Sequence, residues 1–337
     1  IGNVYYEQGE YARAVEFYQE CVKRYDTANA KSSAAYRVLK IARVEYEQGR
    51  DAVAVEFYQQ AVARLTALGD RRSLGYALHN IANIYYEQGD YNQALGFYQR
   101  SLQAEREAGT REGEAGALQG IGLIHSLNGN HTLALDAHQK NLAVAQALNS
   151  RQAIAAAWQK VGGSCFSLGK LDDALAAYQQ SLSVREPLGD LQETAQALLD
   201  VGVTLAAKQD FAAAMEYYKR SRELYEQAKN LAGVAAVLLN VSMAHYVQTD
   251  YAKTLEVAGQ ATMVAKQSNE PDLFWQARYR IGKAHYRLND LAAARQALTE
   301  AITTIETIRP QLGRAQQPRF FESRISPYLA MADVAIS

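Results

Sequence analysis

Cysteine and proline are scarce in this chain: two and five among 337 residues, with no proline before Pro187. Two thiols, Cys21 and Cys165, cannot build the disulfide framework of a small secreted domain. A long proline-free run lets helices continue uninterrupted. No stretch approaches the roughly 18 consecutive apolar residues of a membrane span. Excess charge of either sign is missing too, with 35 basic against 36 acidic side chains. The chain therefore lacks the basic stripe of a phosphate-backbone binder. Nucleic acid and membrane are excluded as partners on these grounds, and a soluble, cytoplasmic protein is expected. Because the chain opens on Ile-Gly-Asn, a longer parent chain is also expected.

Repetition is what the sequence has in abundance. Tyr-Tyr-Glu-Gln-Gly-Glu-Tyr at 5–11 returns as Tyr-Tyr-Glu-Gln-Gly-Asp-Tyr at 85–91, with Glu-Tyr-Glu-Gln-Gly-Arg-Asp at 45–51 between them. The period is 40 residues. It runs through Gly9, Gly49, Gly89, Gly129 and Gly169, then Gln209, Thr249 and Asn289. A second ladder passes through Gly69, Gly109, Asn149, Gly189, Lys229 and Asn269. Glycine and asparagine tolerate the left-handed conformation that ends helices. Between the ladders, apolar residues recur at spacings of three and four, so each unit reads as two amphipathic helices.

Aligned on the turns, the units show what packs. Ile1, Ile41, Ile81, Ile121, Val161, Val201, Val241 and Ile281 form one column. The next is small: Gly2, Ala42, Ala82, Gly122, Gly162, Gly202, Ser242 and Gly282. In the second helix, Ala14, Ala54, Ala94, Ala134, Ala174 and Ala214 precede Tyr18, Tyr58, Tyr98, His138, Tyr178 and Tyr218 by four residues. Tyrosine ridges over alanine gaps allow helix axes about 8–10 Å apart.

Leu78, Ile81, Ala82, Tyr85, Gly89, Asp90, Tyr91, Ala94, Tyr98 and Ser101 resemble, in order, the pattern of the tetratricopeptide repeat. The resemblance reaches from residue 1 to about 308. Each unit carries 40 residues rather than the common 34, as in the long-helix arrays of kinesin light chains, polarity adaptors and many bacterial regulators. It implies an all-α, right-handed superhelical solenoid of about eight helix-turn-helix repeats. The expected divisions are a truncated repeat at 1–30, repeats at 31–70, 71–110, 111–150, 151–190, 191–230, 231–270 and 271–309, and a linker with capping helix at 310–337. Residues 311–313, 319–324 and Pro327-Tyr328 resemble the segment that joins such arrays to a CHAT domain, a caspase-like peptidase module of bacteria. That resemblance implies the sensor or regulatory half of a larger protein.

Chemistry is hard to place in this pattern. His125, Cys165, His245 and His285 share one column of the packed face, one per unit, whereas a metal needs its ligands within about 2–2.3 Å. His131 and His138 are seven apart and lack a third partner. No phosphate loop, nucleotide fingerprint, nucleophile elbow or zincin motif occurs. The expectation is a protein without catalytic residues, metal or cofactor.

Binding is a different matter. In a tetratricopeptide array the first helices line the concave surface, and residues spaced by three, four and three share one face. That face comprises Tyr36, Leu39, Arg43, Tyr46 and Glu47 in the second unit. The third supplies Tyr76, His79, Asn83, Tyr86 and Glu87. Units four and five supply Gln119, Leu123, Ser126, Leu127, Gln159, Gly163, Phe166 and Ser167. Units six and seven are mostly apolar: Gln196, Leu199, Val203, Ala206, Ala207, Leu239, Met243, Tyr246 and Val247. The eighth gives Gln276, Tyr279, Lys283, Tyr286 and Arg287, with Arg278 and Arg280 close by. Asn80 and Asn240 stand where long-helix arrays resemble one another in bonding a peptide backbone. The expected partner is a protein or peptide segment in this groove, or another domain of the same parent chain, with an acidic group near Lys283 and Arg287. A receptor for a signalling peptide is the remaining reading.

Overall fold

The structure, a computed structural model, describes residues 1–309 and 324–336. These residues form helices and turns with no strand. The chain divides into two compact units, Ile1–Ser150 and Arg151–Ser337.

The first unit holds α1 (Gly2–Glu7), α2 (Tyr11–Thr27), α3 (Lys31–Glu47), α4 (Asp51–Leu68), α5 (Arg71–Glu87), α6 (Tyr91–Ala108), α7 (Arg111–Leu127) and α8 (His131–Ala147). The second holds α9 (Arg151–Ser167), α10 (Leu171–Arg185), α11 (Leu191–Ala207), α12 (Phe211–Gln227), α13 (Leu231–Val247), α14 (Tyr251–Gln267), α15 (Pro271–Arg287), α16 (Leu291–Ile308) and α17 (Ser326–Ile336). Within each unit consecutive helices pair as antiparallel hairpins, and the second helix of a hairpin packs on the first of the next.

Both ladders of turn residues stop helices by backbone geometry. Every residue in them has positive φ, from 52° at Asn149 to 79° at Gly89, and Asn29 at 55° adds one more rung. Gln209, Lys229 and Thr249 adopt it despite their side chains, and the strain is offset by the helices that fix them. The following helix is often capped by the next residue. Asp70, Asp90, Asp190, Asp210, Asn230, Asp250 and Asp290 each accept a hydrogen bond from the amide three residues on. That is the N-cap arrangement, worth roughly 1 kcal/mol per helix.

The core is the tyrosine-over-small-residue packing of the repeat. Tyr18, Tyr58 and Tyr218 are buried, and Ala14, Ala54, Ala94, Ala134, Ala174 and Ala214 are fully so. At Gly120 an added Cβ would sit 2.6 Å from the Tyr98 ring, and at Gly202 2.7 Å from Tyr218. A third device recurs in the second helices. Ser101, Ser181 and Ser221, all buried, donate to the carbonyls of Gly75, Ala155 and Ala195, each 26 residues back.

Two prolines sit at helix boundaries. Pro271 opens α15 as its first residue, and Pro187 sits inside a 3₁₀ turn, Glu186–Leu188. At a first helical position the missing amide has no intrahelical partner to lose. The segment 311–323, which carries most of the CHAT-like resemblance, lies outside the described residues, as does Pro310. Among the described residues of the C-terminal segment, α17 packs against α16 and α15. Val334 and Pro327 are buried, Arg324 pairs with Asp272 at 2.7 Å, and Tyr328 donates to Glu306.

Candidate functional site

No helix among the described residues is long and apolar enough to cross a membrane. None of their His, Cys, Asp and Glu side chains gather into a group able to hold a metal ion. Cys165 is buried, and burial lowers the pKa of His125.

In the first unit the odd-numbered helices α3, α5 and α7 present the predicted face. Tyr36 and Tyr76 stand 49% and 44% exposed. They flank a cavity of about 310 Å³ lined also by Leu39, Lys40, Arg43, Arg72 and Ser73. The lysine ammonium of Lys40 lies 5.3 Å from the Tyr36 ring centre. Arg43 is less available, since Glu47 accepts from its Nε at 2.9 Å and its guanidinium covers Tyr6.

Much of the polar chemistry on this face is turned inward. Tyr6 donates to Glu47, and Tyr46 donates to Glu87 at 2.6 Å, so one repeat is tied to the next. Asn83 accepts from the Tyr98 hydroxyl at 2.6 Å, and His79 meets the same ring edge-on with its pKa lowered by burial. Asn80 donates to the carbonyl of Tyr76 in its own helix. Further along, Gln119 and Leu127 are exposed while Leu123 and Ser126 are half-buried. Tyr86, whose counterpart of Glu87 would be Leu127, rests instead against Tyr91 with ring centres 5.7 Å apart.

In the second unit α9 and α11 hold a polar network. Asp200 accepts from Gln159 at 2.6 Å and from Gln196 at 2.8 Å. Arg185 donates to Gln159 and pairs with Glu193, and Tyr225 donates to Gln196. Burial raises the Asp200 pKa against the pull of these donors and of Arg185 and Lys160. Arg185 also borders a cavity of about 480 Å³ with Gln152, Leu188, Asp190 and Glu193. Gly163 and Phe166 are half-buried and Ser167 exposed.

The apolar stretch divides between core and surface. Leu199 and Leu239, expected as anchors, are 5% and 9% exposed. Both are buried, as is Leu39 in the first unit. Val203 and Ala206 are half-buried, while Ala207, Met243 and Val247 remain exposed, the last two at 42% and 51%.

Of these residues, Leu239 and Met243 border a cleft of about 400 Å³ between α13 and α15. Leu239, Met243, Leu273, Trp275 and Tyr279 make its apolar lining, and Asn240, Gln276, Arg280 and Ser326 its polar one. Asn240 donates to the carbonyl of Ala236. Beside the cleft Lys283 is held between two rings, 4.9 Å from the centre of Tyr246 and 5.6 Å from that of Tyr279. Tyr286 and Arg287 are exposed beyond it. Arg278 is engaged with Glu300 at 2.8 Å. Arg280, whose Nε is buried without a hydrogen-bond partner, is the residue that sequence reasoning placed only nearby. Its signal was the cationic spacing 280, 283, 287 on one helix face.

Models of the tetratricopeptide repeat match residues 31–107, 73–147, 113–186 and 152–227, and related models match 1–28 and 242–311. No curated protein matches the chain by sequence. Among solved structures, the chain is similar to the apo form of RapI, with TM-score 0.66 and 13% identity over 82% of this chain and 99% of that one. It is also similar to the STAND protein with a tetratricopeptide repeat sensor from Pyrococcus horikoshii, with TM-score 0.65 and 13% identity over 90% of this chain and 46% of that one. A third is the Rap conjugation gene regulator of the plasmid pLS20 in complex with the Phr* peptide, at TM-score 0.53 and 15% identity over 86% and 78% of the two chains. At these identities the likeness shows a shared fold.

Proposed function

The chain belongs to the tetratricopeptide repeat family, and on that premise we propose that it is a non-catalytic module that binds an extended peptide or protein segment on the exposed faces of its first helices. The observation that carries this reading is the cleft between α13 and α15. Tetratricopeptide helices otherwise bury their apolar faces against neighbours, yet Met243 is 42% and Val247 51% exposed on one of the helices that bound it. An exposed apolar patch with a polar rim is the signature of a binding surface. The lining mixes apolar side chains for an anchor with Asn240, Gln276 and Arg280 for orientation, which is the usual composition of a recognition pocket.

A peptide-sized ligand is supported by the complex of the pLS20 regulator with its Phr* peptide. The aromatic cavity at Tyr36 and Tyr76 would serve as a second seat in the first unit. A larger parent protein would use the same face against its own caspase-like domain. A reading frame continuing past Ser337 into a domain with a His/Cys pair decides that alternative.

The test is selection of short peptides from a displayed random library on the full chain, followed by calorimetry. Met243→Asp and Leu273→Asp, both in the cleft lining, should weaken the selected peptides about tenfold or more, as expected for loss of an anchor worth more than about 1.4 kcal/mol, with the fold intact by circular dichroism. Unchanged affinity in both variants would remove the cleft as the binding site.

A further inference from the structure

Arg280, Lys283 and Arg287 follow one another along one face of α15, at spacings of three and four that bring side chains together. The acidic side chains around them are engaged elsewhere. Glu300 holds Arg278, Asp290 lies against His285, and Asp272 binds Arg324. Among the described residues no acidic side chain forms an ion pair with Arg280, Lys283 or Arg287, so three positive charges are crowded on one strip. Aromatic rings hold them in place: Arg280 and Lys283 lie over Tyr246 at 5.6 and 4.9 Å, and Arg287 over Tyr251 at 5.7 Å.

Burial bears on both Lys283 and Arg280, and neighbouring charge on Lys283. Burial, followed by the nearby charges of Arg280 and Arg287, lowers the Lys283 pKa. Burial lowers that of Arg280, on which only the neighbouring tyrosines Tyr279 and Tyr246 act in the opposite sense. A stacked guanidinium keeps its edge free for oxygen acceptors, and the buried Arg280 Nε has no acceptor. Arg280 also lines the cleft beside Met243 and Tyr279.

We propose that the segment bound by the second unit carries a doubly charged acidic group, either a phosphomonoester or two adjacent carboxylates, seated against Arg280, Lys283 and Arg287 while a neighbouring apolar residue fills the cleft. The inference rests on the peptide-binding reading above and specifies its chemistry. A single carboxylate would leave two of the three cations uncompensated, whereas a dianion offers oxygen acceptors to at least two of them. Charge-assisted bonds to arginine are about twice as strong as neutral ones. Partly buried charge pairs are also screened by salt less than fully exposed ones.

The probe is a set of library-selected short peptides synthesised in four versions that differ only at one central pair: Ser-Ser, Ser-phosphoserine, Asn-Asn and Asp-Asp. Fluorescence anisotropy against the full chain reads their affinities. The charged versions should bind at least about tenfold more tightly than their neutral counterparts, with an advantage that falls as salt rises and collapses in Lys283→Gln and Arg287→Gln. Whichever charged version binds more tightly identifies the source of the dianion. Arg280→Gln is read alongside, and the two more accessible variants keep the test valid if the buried position perturbs folding. Equal binding of charged and neutral versions, with sensitivity to Met243→Asp retained, overturns the acidic-group proposal alone. A charge advantage that survives in the Lys283→Gln, Arg287→Gln double variant also overturns it. Failure of every version to bind, or binding indifferent to Met243→Asp, overturns the peptide-binding reading as well.

Discussion

The hydroxyl of Tyr46 donates to Glu87 at 2.6 Å, across the boundary between one repeat and the next, and Tyr6 and Glu47 do the same one period earlier. The ladder then stops, because Leu127 stands where the next glutamate would be. Only the beginning of the first unit is laced in this way along its first helices.

Tyr46→Phe removes the hydroxyl and leaves Glu87 exposed to water, so a loss of about 1 kcal/mol is expected from denaturant unfolding. The bond also marks the titration. Glu87 above all, and then burial, push the Tyr46 pKa up to about 12. The stabilisation is complete below the ordinary tyrosine value near 10 and is lost as pH rises through about 12. Absorbance titration of Glu87→Gln should show one tyrosine moving back toward the ordinary range. No change in the curve would mean that the bond is not formed in solution.

Glu105 gives a dependence of the same sign in a lower pH window, caused by burial rather than by a bond. Its carboxyl is buried between Gly75 and Gly113, where a Cβ at either glycine would overlap it, and it accepts from Thr110. Burial raises its pKa, so over the window above the ordinary glutamate value the folded chain holds more protons than the unfolded one. Stability then falls as pH rises through that window. Glu105→Gln should raise the melting temperature near neutral pH by a few degrees and flatten its pH dependence above the ordinary glutamate range. A lower melting temperature would contradict this.

Two glycine substitutions should move stability in opposite directions. Gly202→Ala drives a methyl to within 2.7 Å of Tyr218, an overpacking that costs about 1–3 kcal/mol. Gly96→Ala, in the middle of α6 with nothing within 4 Å, should stabilise by about 0.5–1 kcal/mol through helix propensity alone. Thermal melts of the two variants check the pair.

The C-terminal helix is held by Val334, 2% exposed, and by the Arg324 to Asp272 ion pair. Val334→Asp should abolish hydrogen-exchange protection across 326–336 while α11 and α12 stay protected, since stability in repeat arrays is local. Loss of protection throughout the second unit would show instead that α17 is integral to its folding.

How much of this was legible beforehand follows from what repeats and what does not. Helix ends were readable because a left-handed residue must occur wherever the chain reverses, so even Gln209 and Thr249, poor glycine substitutes, are placed by register. The tyrosine and alanine columns were readable for the same reason. The binding face was less so. Leu199 and Leu239 stand at repeat positions equivalent to one another and one turn from that of exposed Met243, but phase within one helix does not reveal burial, and both are buried. Asn83 was named as a ligand group, yet Tyr98, fifteen residues on, takes its oxygen. Such a bond depends on the close approach of two helices rather than on either sequence segment. Arg280 became prominent only once its surroundings showed no acceptor for Nε.

The central claim is that partners meet the first helices. Photo-crosslinking addresses it most directly. A photoreactive residue is placed at Met243 on α13 or at Met263 on α14, which is 67% exposed on a second helix, and each protein is illuminated with the library-selected peptides. Covalent adducts at position 243 and none at 263 are predicted. Adducts at 263 with none at 243 would contradict the assignment of the binding face.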